Sequence, residues 1–124
     1  MFEISVEHTF AAGHALRQYK GKCENVHGHN YKVRVTIAGD KLNAAGLLMD
    51  FVELRGEIKK FVEELDHRFL NDIPPFNQLN PSAENIAKYI CDKIEPQAKN
   101  QGLRVHGVTV WETDTTSATY RPGA

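Results

Sequence analysis

His27-Gly28-His29-Asn30-Tyr31-Lys32-Val33-Arg34-Val35-Thr36-Ile37 is the stretch on which the fold turns. Tyr31, Val33, Val35 and Ile37 alternate with Lys32, Arg34 and Thr36, the period of two that marks a strand with one buried face. Residues two apart on a strand point the same way, so a strand beginning near His27 puts both imidazoles on the face of Tyr31 and Val33. Upstream, Phe2, Ile4, Val6, His8 and Phe10 alternate with Glu3, Ser5, Glu7 and Thr9 as a first strand. Ala11-Ala12-Gly13 loosens that pattern before His14, which keeps the parity of Phe10. Residues 15–26 read as a loop, and an antiparallel pairing of the two strands brings His14 beside His27 and His29.

Downstream the period changes. Asp50 is placed to cap a helix, with Glu53 completing a capping-box-like pair. Phe51, Leu54, Ile58, Phe61, Val62 and Leu65 then form one apolar stripe that stops at Asp66-His67-Arg68. Pro74-Pro75 forces a turn. Asn80-Pro81-Ser82 announces a second helix, with Pro81 in its first turn, an inner face of Ala83, Ile86, Ala87, Ile90 and Ile94, and an end at Pro96. Leu103–Thr113 and Ser117–Tyr120 read as two further strands around an Asp114-Thr115-Thr116 turn. The order β-β-α-α-β-β separates strands from helices and predicts an α+β domain over residues 1–124: an antiparallel four-stranded sheet with two helices on one face. Such a sheet keeps two open edges, and joining sheets between subunits into a barrel removes them, which predicts a homo-oligomer.

Composition narrows the function. The 124 residues carry 15 basic and 16 acidic side chains, a formal net charge of -1, with no lysine-rich arm, so nucleic acid is not an expected partner. Apolar stretches fall well short of the roughly 20 residues that span a bilayer, and the N-terminus has no basic leader or apolar h-region, which predicts a cytoplasmic protein without membrane partners. Two cysteines, Cys23 and Cys91, are expected to be free thiols. Cys91 on the second helix reads as packing.

His14, His27 and His29 form the candidate metal set. Three imidazoles with no obvious fourth side chain suit Zn²⁺ in a catalytic site, where the remaining position takes water or substrate. Cys23, four residues before His27, gains acidity near a divalent cation and becomes a base or nucleophile; alternatively it is a fourth ligand of a closed, noncatalytic zinc module. Asp66-His67 is either a helix-end pair or a proton relay in which the acid orients the imidazole. Glu112, ending a strand, is either solvated or a rim carboxylate that accepts two parallel N–H bonds from a guanidine-like ring edge. Arg17, Lys20 and Lys22 are either a solvated basic loop or a cradle for a polyanion.

Taken in order, Phe10-Ala11-Ala12-Gly13-His14, Cys23-Glu24-Asn25-Val26-His27-Gly28-His29-Asn30-Tyr31, Met49-Asp50-Phe51, Leu65-Asp66-His67-Arg68-Phe69-Leu70-Asn71, Pro81-Ser82-Ala83-Glu84-Asn85 and Trp111-Glu112-Thr113 resemble the 6-pyruvoyltetrahydropterin synthase family across nearly the whole chain. Within it they look most like the bacterial carboxypterin branch of queuosine biosynthesis, whose loop has the short Cys23-to-His27 spacing. The resemblance implies a single tunnelling-fold domain, most often hexameric in relatives, with active sites where subunits meet. It implies zinc on His14, His27 and His29, a base at Cys23, a relay through Asp66 and His67, and pterin anchoring by Glu112, with Ser82 nearby. The implied reaction turns 7,8-dihydroneopterin triphosphate into 6-carboxy-5,6,7,8-tetrahydropterin, acetaldehyde and triphosphate. Some relatives use a glutamate in the Cys23 loop to release 6-hydroxymethyldihydropterin for folate, so Glu24 leaves that reaction, or both, open. A pyruvoyl-type synthase is the third possibility.

Overall fold

A computed structural model describes residues 1–18 and 25–123. The first two elements are β1 (Phe2–His14) and β2 (His27–Gly39), followed by helix α1 (Phe51–Val62) and the short strand β3 (Arg68–Phe69). A 3-10 turn (Leu70–Asp72), helix α2 (Ala83–Asn100), β4 (Arg104–Thr113) and β5 (Thr116–Tyr120) complete the described chain. The strands make one mixed sheet in the order β3-β1-β2-β4-β5.

Alternation sets the layers. Val6, Phe10, Ala12 and His14 of β1 and Tyr31, Val33, Val35 and Ile37 of β2 are buried under the helices, while Glu7, Thr9 and Arg34 are exposed on the other face. On that polar face the Trp111 ring lies under Lys32 Nζ, 4.4 Å from the ring centroid, and Arg34 Cζ, at 5.0 Å. The α1 stripe buries Leu54, Ile58 and Val62, joined by Leu65 just beyond the helix. The α2 stripe buries Ala83, Ile86, Ala87, Ile90, Cys91, Ile94 and Ala98. Burying a side chain of leucine or isoleucine size stabilises by about 1.5–3 kcal/mol; these two stripes hold the helices on the sheet.

The structure corrects the sequence-based architecture in several places. The sheet has five strands among the described residues rather than four, and it is not wholly antiparallel: β3 runs parallel to β1 through Ala12 and Gly13. Two residues are too few to display a period. β1 does not loosen at Ala11 but pairs with β2 as far as His14. Pro96 lies inside α2 and does not end it. Pro96 and Asp92 are both exposed, where water can take the hydrogen bond that the proline cannot donate, and buried Ala98 continues the stripe beyond it. Pro81 precedes the helix, whose N-cap is Ser82. Asp50 caps α1 as expected, its Oδ1 accepting from Val52 N–H at 2.8 Å, but Glu53 accepts from the Gln101 side chain at 2.8 Å. Phe51 is 55% exposed and falls off the stripe.

Candidate metal centre and acid–base dyad

The β1–β2 register places His14 opposite His27 and Ala12 opposite His29, so the three imidazoles converge on the helix-facing side. One ring nitrogen from each lies within 4.8 Å of the others. The rings meet edge to face, with centroids 4.6 Å apart for His14–His27 and 5.0 Å for each pairing with His29.

Proton accounting tests whether this donor set suits a cation. His14 Nδ1 is 2.8 Å from the Pro81 carbonyl and His27 Nδ1 is 3.1 Å from the Asn25 carbonyl. A carbonyl only accepts, so both Nδ1 atoms carry the hydrogen and both Nε2 atoms of the neutral rings present lone pairs. Those two Nε2 atoms face each other at 3.0 Å. Lone pairs at that distance repel unless positive charge stands between them. Tetrahedral nitrogen ligands about 2.0–2.1 Å from zinc stand roughly 3.3 Å from one another, close to the separation seen. The carbonyl behind each ring is also the usual support of a metal-bound histidine. The residues fit a divalent metal.

Glu112 adjoins this cluster. Its carboxylate oxygens are 4.0 Å from His14 Nε2 and 3.9 Å from His29 Nε2. It also lines a cavity of about 180 Å³, with Ala83, Glu84, Thr116, Ser117 and Ala118. The carboxylate therefore borders both the imidazoles and a polar recess. Tyr31 floors the cluster, stacked on Phe10 at 4.9 Å and edge-on to His14 and His29 at 5.9 and 5.4 Å. Burial, and then the Glu112 carboxylate, push its phenol upward. Its hydroxyl is buried without a hydrogen-bond partner among the described residues.

Asp66 and His67 make a separate constellation. Ala11 N–H donates to Asp66 Oδ1 at 2.9 Å, and His67 N–H donates to the Ala11 carbonyl at 2.6 Å, so the pair grips both backbone groups of one β1 residue. The other carboxylate oxygen is 3.0 Å from His67 Nδ1. The Ala11 N–H, and after it the His67 ring, hold the Asp66 carboxyl below the usual carboxylate range. His67 adopts φ 58°, a left-handed conformation that is uncommon outside glycine and turns its ring outward, 83% exposed. The ring is thus bonded to a carboxylate and not to the end of α1.

His67 borders a cavity of about 520 Å³ with Ala11, Gly13, Gly28, His29, Asn30 and Phe69. Ala11, Gly13, Gly28 and Asn30 have the opposite parity to the three metal-set histidines, so the cavity opens mainly across the other face of the β1–β2 ladder. Of the three imidazoles, His29 also lines this cavity, while His14 and His27 do not. Gly28 faces that cavity, where a Cβ would meet Ala12 O at an ordinary 3.6 Å. Its missing side chain widens the recess; it is not on the face where the imidazoles gather.

Other expected site residues fall differently. Ser82 Oγ accepts from Asn85 N–H at 3.2 Å as the cap of α2. Arg17 does not lie free in a basic loop: its Nη2 donates to the carbonyls of Asn71 at 3.2 Å and Phe76 at 2.8 Å, which makes it a strap. Cys23, Glu24, Lys20 and Lys22 lie outside the described residues. Sequence reasoning overlooked Tyr31 as the floor, Glu84 in the recess, and the carboxamides of Asn71 and Asn80, which bond the chain just after His14. The asparagine before Pro81 was legible only as a helix signal.

Comparison with known proteins adds an independent line. The family profile described as 6-pyruvoyl tetrahydropterin synthase matches residues 3–123. The 6-carboxy-5,6,7,8-tetrahydropterin synthase of Synechocystis is 38% identical over 125 residues, covering 97% of this chain and 93% of that one. The human 6-pyruvoyl tetrahydrobiopterin synthase is also 38% identical, over 109 residues, covering 82% of this chain and 71% of that one. The solved structure of Caenorhabditis elegans 6-pyruvoyl tetrahydropterin synthase superposes with a TM-score of 0.85 at 28% identity, over 98% of this chain and 96% of that one. A matching profile, sheet and helix pair, with three histidines converging from β1 and β2, lead to one conclusion: the chain belongs to the 6-pyruvoyl tetrahydropterin synthase family of enzymes.

Proposed function

We propose that this chain is a zinc-dependent 6-carboxytetrahydropterin synthase, converting 7,8-dihydroneopterin triphosphate and one water to 6-carboxy-5,6,7,8-tetrahydropterin, acetaldehyde and triphosphate in the queuosine pathway of the cytoplasm. The observation that carries the metal part is the pair of Nε2 lone pairs facing each other at 3.0 Å, each ring fixed from behind by a carbonyl. The product rests on relatives of that name, including the Synechocystis enzyme that aligns over 97% of this chain.

His14, His27 and His29 hold the ion, which when bound supplies Lewis acidity toward the oxygens of the substrate side chain. Glu112, beside the cluster and at the edge of the 180 Å³ recess, accepts the paired N–H groups of the pterin ring edge. Ser82 stays near the pterin through a hydroxyl whose oxygen also caps α2. Cys23 removes a carbon-bound proton. His67, oriented by Asp66, returns protons as the triphosphate leaves and the side chain breaks; acid–base help of this kind is worth about 10²–10⁴-fold. Arg17, committed to two carbonyls, leaves Lys20 and Lys22 as the proposed triphosphate contacts.

Because the cavity beside the dyad takes in His29 but neither His14 nor His27, we assign His67 of one copy to the metal cluster of another. The working unit is then a homo-oligomer of single tunnelling-fold domains, its sheets joined into a barrel. Incubating zinc-loaded protein with 7,8-dihydroneopterin triphosphate and identifying products by mass spectrometry tests the reading. 6-Carboxytetrahydropterin with acetaldehyde supports it. A 6-pyruvoyl product moves the chain toward the activity named for its human relative, and 6-hydroxymethyldihydropterin moves the cleavage to Glu24. In Cys23→Ala, retained zinc with lost turnover supports the base assignment, and weakened zinc with full activity overturns it.

A further inference from the structure

The ladder between β1 and β2 ends at His14↔His27, yet the backbone just beyond it is not left to solvent. Ala15 N–H donates to Asn71 Oδ1 at 2.9 Å and the Ala15 carbonyl accepts from Asn71 Nδ2 at 2.7 Å. Two residues on, Arg17 N–H donates to Asn80 Oδ1 at 2.8 Å and its carbonyl accepts from Asn80 Nδ2 at 2.9 Å. A carboxamide has one acceptor and donors in the same plane, so each asparagine reproduces the two-point pairing that a neighbouring strand residue would give.

Asn80 differs from Asn71 in its C-terminal neighbour. That residue, Pro81, is buried, and its carbonyl accepts the His14 Nδ1–H at 2.8 Å. The main-chain carbonyl of Asn80 is itself held by Asn85 Nδ2 at 2.9 Å. Proline fixes its own φ, so the direction of the Pro81 carbonyl depends on its ψ and on how the preceding peptide is anchored. Residues 14–17 and 80–81 therefore touch at both ends: the His14 ring on the Pro81 carbonyl, and the Arg17 backbone on the Asn80 side chain.

We propose that Asn80 is a positioning residue of the metal centre: by clamping Arg17 it holds the Pro81 carbonyl against His14 Nδ1–H and so keeps His14 Nε2 as the ligand atom. This rests on the zinc reading above. Asn80 touches neither metal nor substrate in this role; it acts through the tautomer and direction of one imidazole. Supports of this kind typically govern metal affinity by about 10–100-fold.

The test measures zinc affinity by chelator competition, and the visible spectrum of the cobalt-substituted protein, for wild type, Asn80→Ala, Asn80→Asp and Asn71→Ala. The expected result is zinc bound about 10–100-fold more weakly by Asn80→Ala, with an altered cobalt spectrum. Asn80→Asp, which keeps the acceptor for Arg17 N–H and loses the donor, falls between it and wild type. Asn71→Ala removes an equivalent clamp that carries no carbonyl to the ring, and keeps a near-wild-type spectrum. Folded Asn80→Ala with wild-type affinity and spectrum overturns the inference, as does equal weakening in Asn71→Ala. Should Asn80→Ala fail to fold, wild-type affinity in Asn80→Asp overturns it. A wild-type protein that takes up neither metal overturns the zinc reading itself, a result distinct from all of these.

Discussion

Replacing Tyr31 with phenylalanine removes one oxygen from beneath the histidine cluster and leaves the ring contacts with Phe10, His14 and His29 in place. Tyr31 is fully buried and its hydroxyl has no hydrogen-bond partner among the described residues. Leaving a buried polar group unsatisfied costs about 1–3 kcal/mol, so Tyr31→Phe is expected to stabilise the metal-free chain by about 1–2 kcal/mol. For a chain of this size that is a rise in Tm of about 3–6 °C per kcal/mol. The assay is urea unfolding with excess chelator, because metal bound only to the folded state would mask the difference. A second readout concerns chemistry. Burial first, then Glu112, push the phenol upward, so it stays protonated throughout the working pH range and supplies neither limb of a pH–rate profile. The profile of kcat should be unchanged. Destabilisation by more than about 1 kcal/mol, the usual net worth of a satisfied hydrogen bond, would show that the hydroxyl has a partner and refute the reasoning. So would loss of a limb of the profile.

Further expectations arise from the two constellations. Asp66→Asn keeps an oxygen for Ala11 N–H but turns an amide toward His67 Nδ1, inverting the ring's tautomer; turnover should fall about 10²–10⁴-fold with zinc content unchanged. The same carboxylate has a lowered folded pKa, so its stabilising contribution is present above the unfolded value near 3.9 and disappears as pH falls through the folded one. Acid unfolding should therefore lose a component in Asp66→Asn below about pH 4, and an unchanged acid limb would argue against it. Zinc added to chelated protein should raise the unfolding free energy by about 2.7 kcal/mol at 100 times its Kd, and His14→Ala should abolish that response. Cys91 is buried and its thiol is pushed up to about 12 by burial, then by Glu95 and Asp92, so Cys23→Ala protein should resist a thiol reagent at neutral pH until it is unfolded.

Much of the site was legible because it is made of local parity. His27, His29, Tyr31 and Val33 share a face by alternation alone, and His14 joins them once β1 and β2 pair. Helix stripes were legible for the same reason: Leu54, Ile58 and Val62 recur at the helical period, and so do Ile86, Ile90 and Ile94. The features that escaped depend on partners distant in sequence. β3 exists because Asp66 and His67 grip Ala11, which lies 55 residues before Asp66, and lay Arg68 and Phe69 beside β1. Glu112 reaches the imidazoles through the β2–β4 register, which shifts between Thr36 and Ile37. Arg17 read as either a solvated cation or a polyanion contact, and neither reading foresaw the two carbonyls of the 71–76 segment that meet its guanidinium.

The edge of β1 explains why these distant pieces lie where they do. Ala11 is held by Asp66 and His67, Gly13 pairs with Phe69, Ala15 is held by Asn71, and Arg17 by Asn80. Every second residue of that edge is gripped by the segment between the two helices. One rail thus indexes the outward-facing dyad at its start against His14 near its end and against the chain that leads toward Cys23. A shift by one residue would reverse the parity of every grip and turn His14 away from His27 and His29. The proposed chemistry needs acid–base groups and metal ligands in a fixed relation. In this chain that relation is maintained by side chains imitating a strand along the rail.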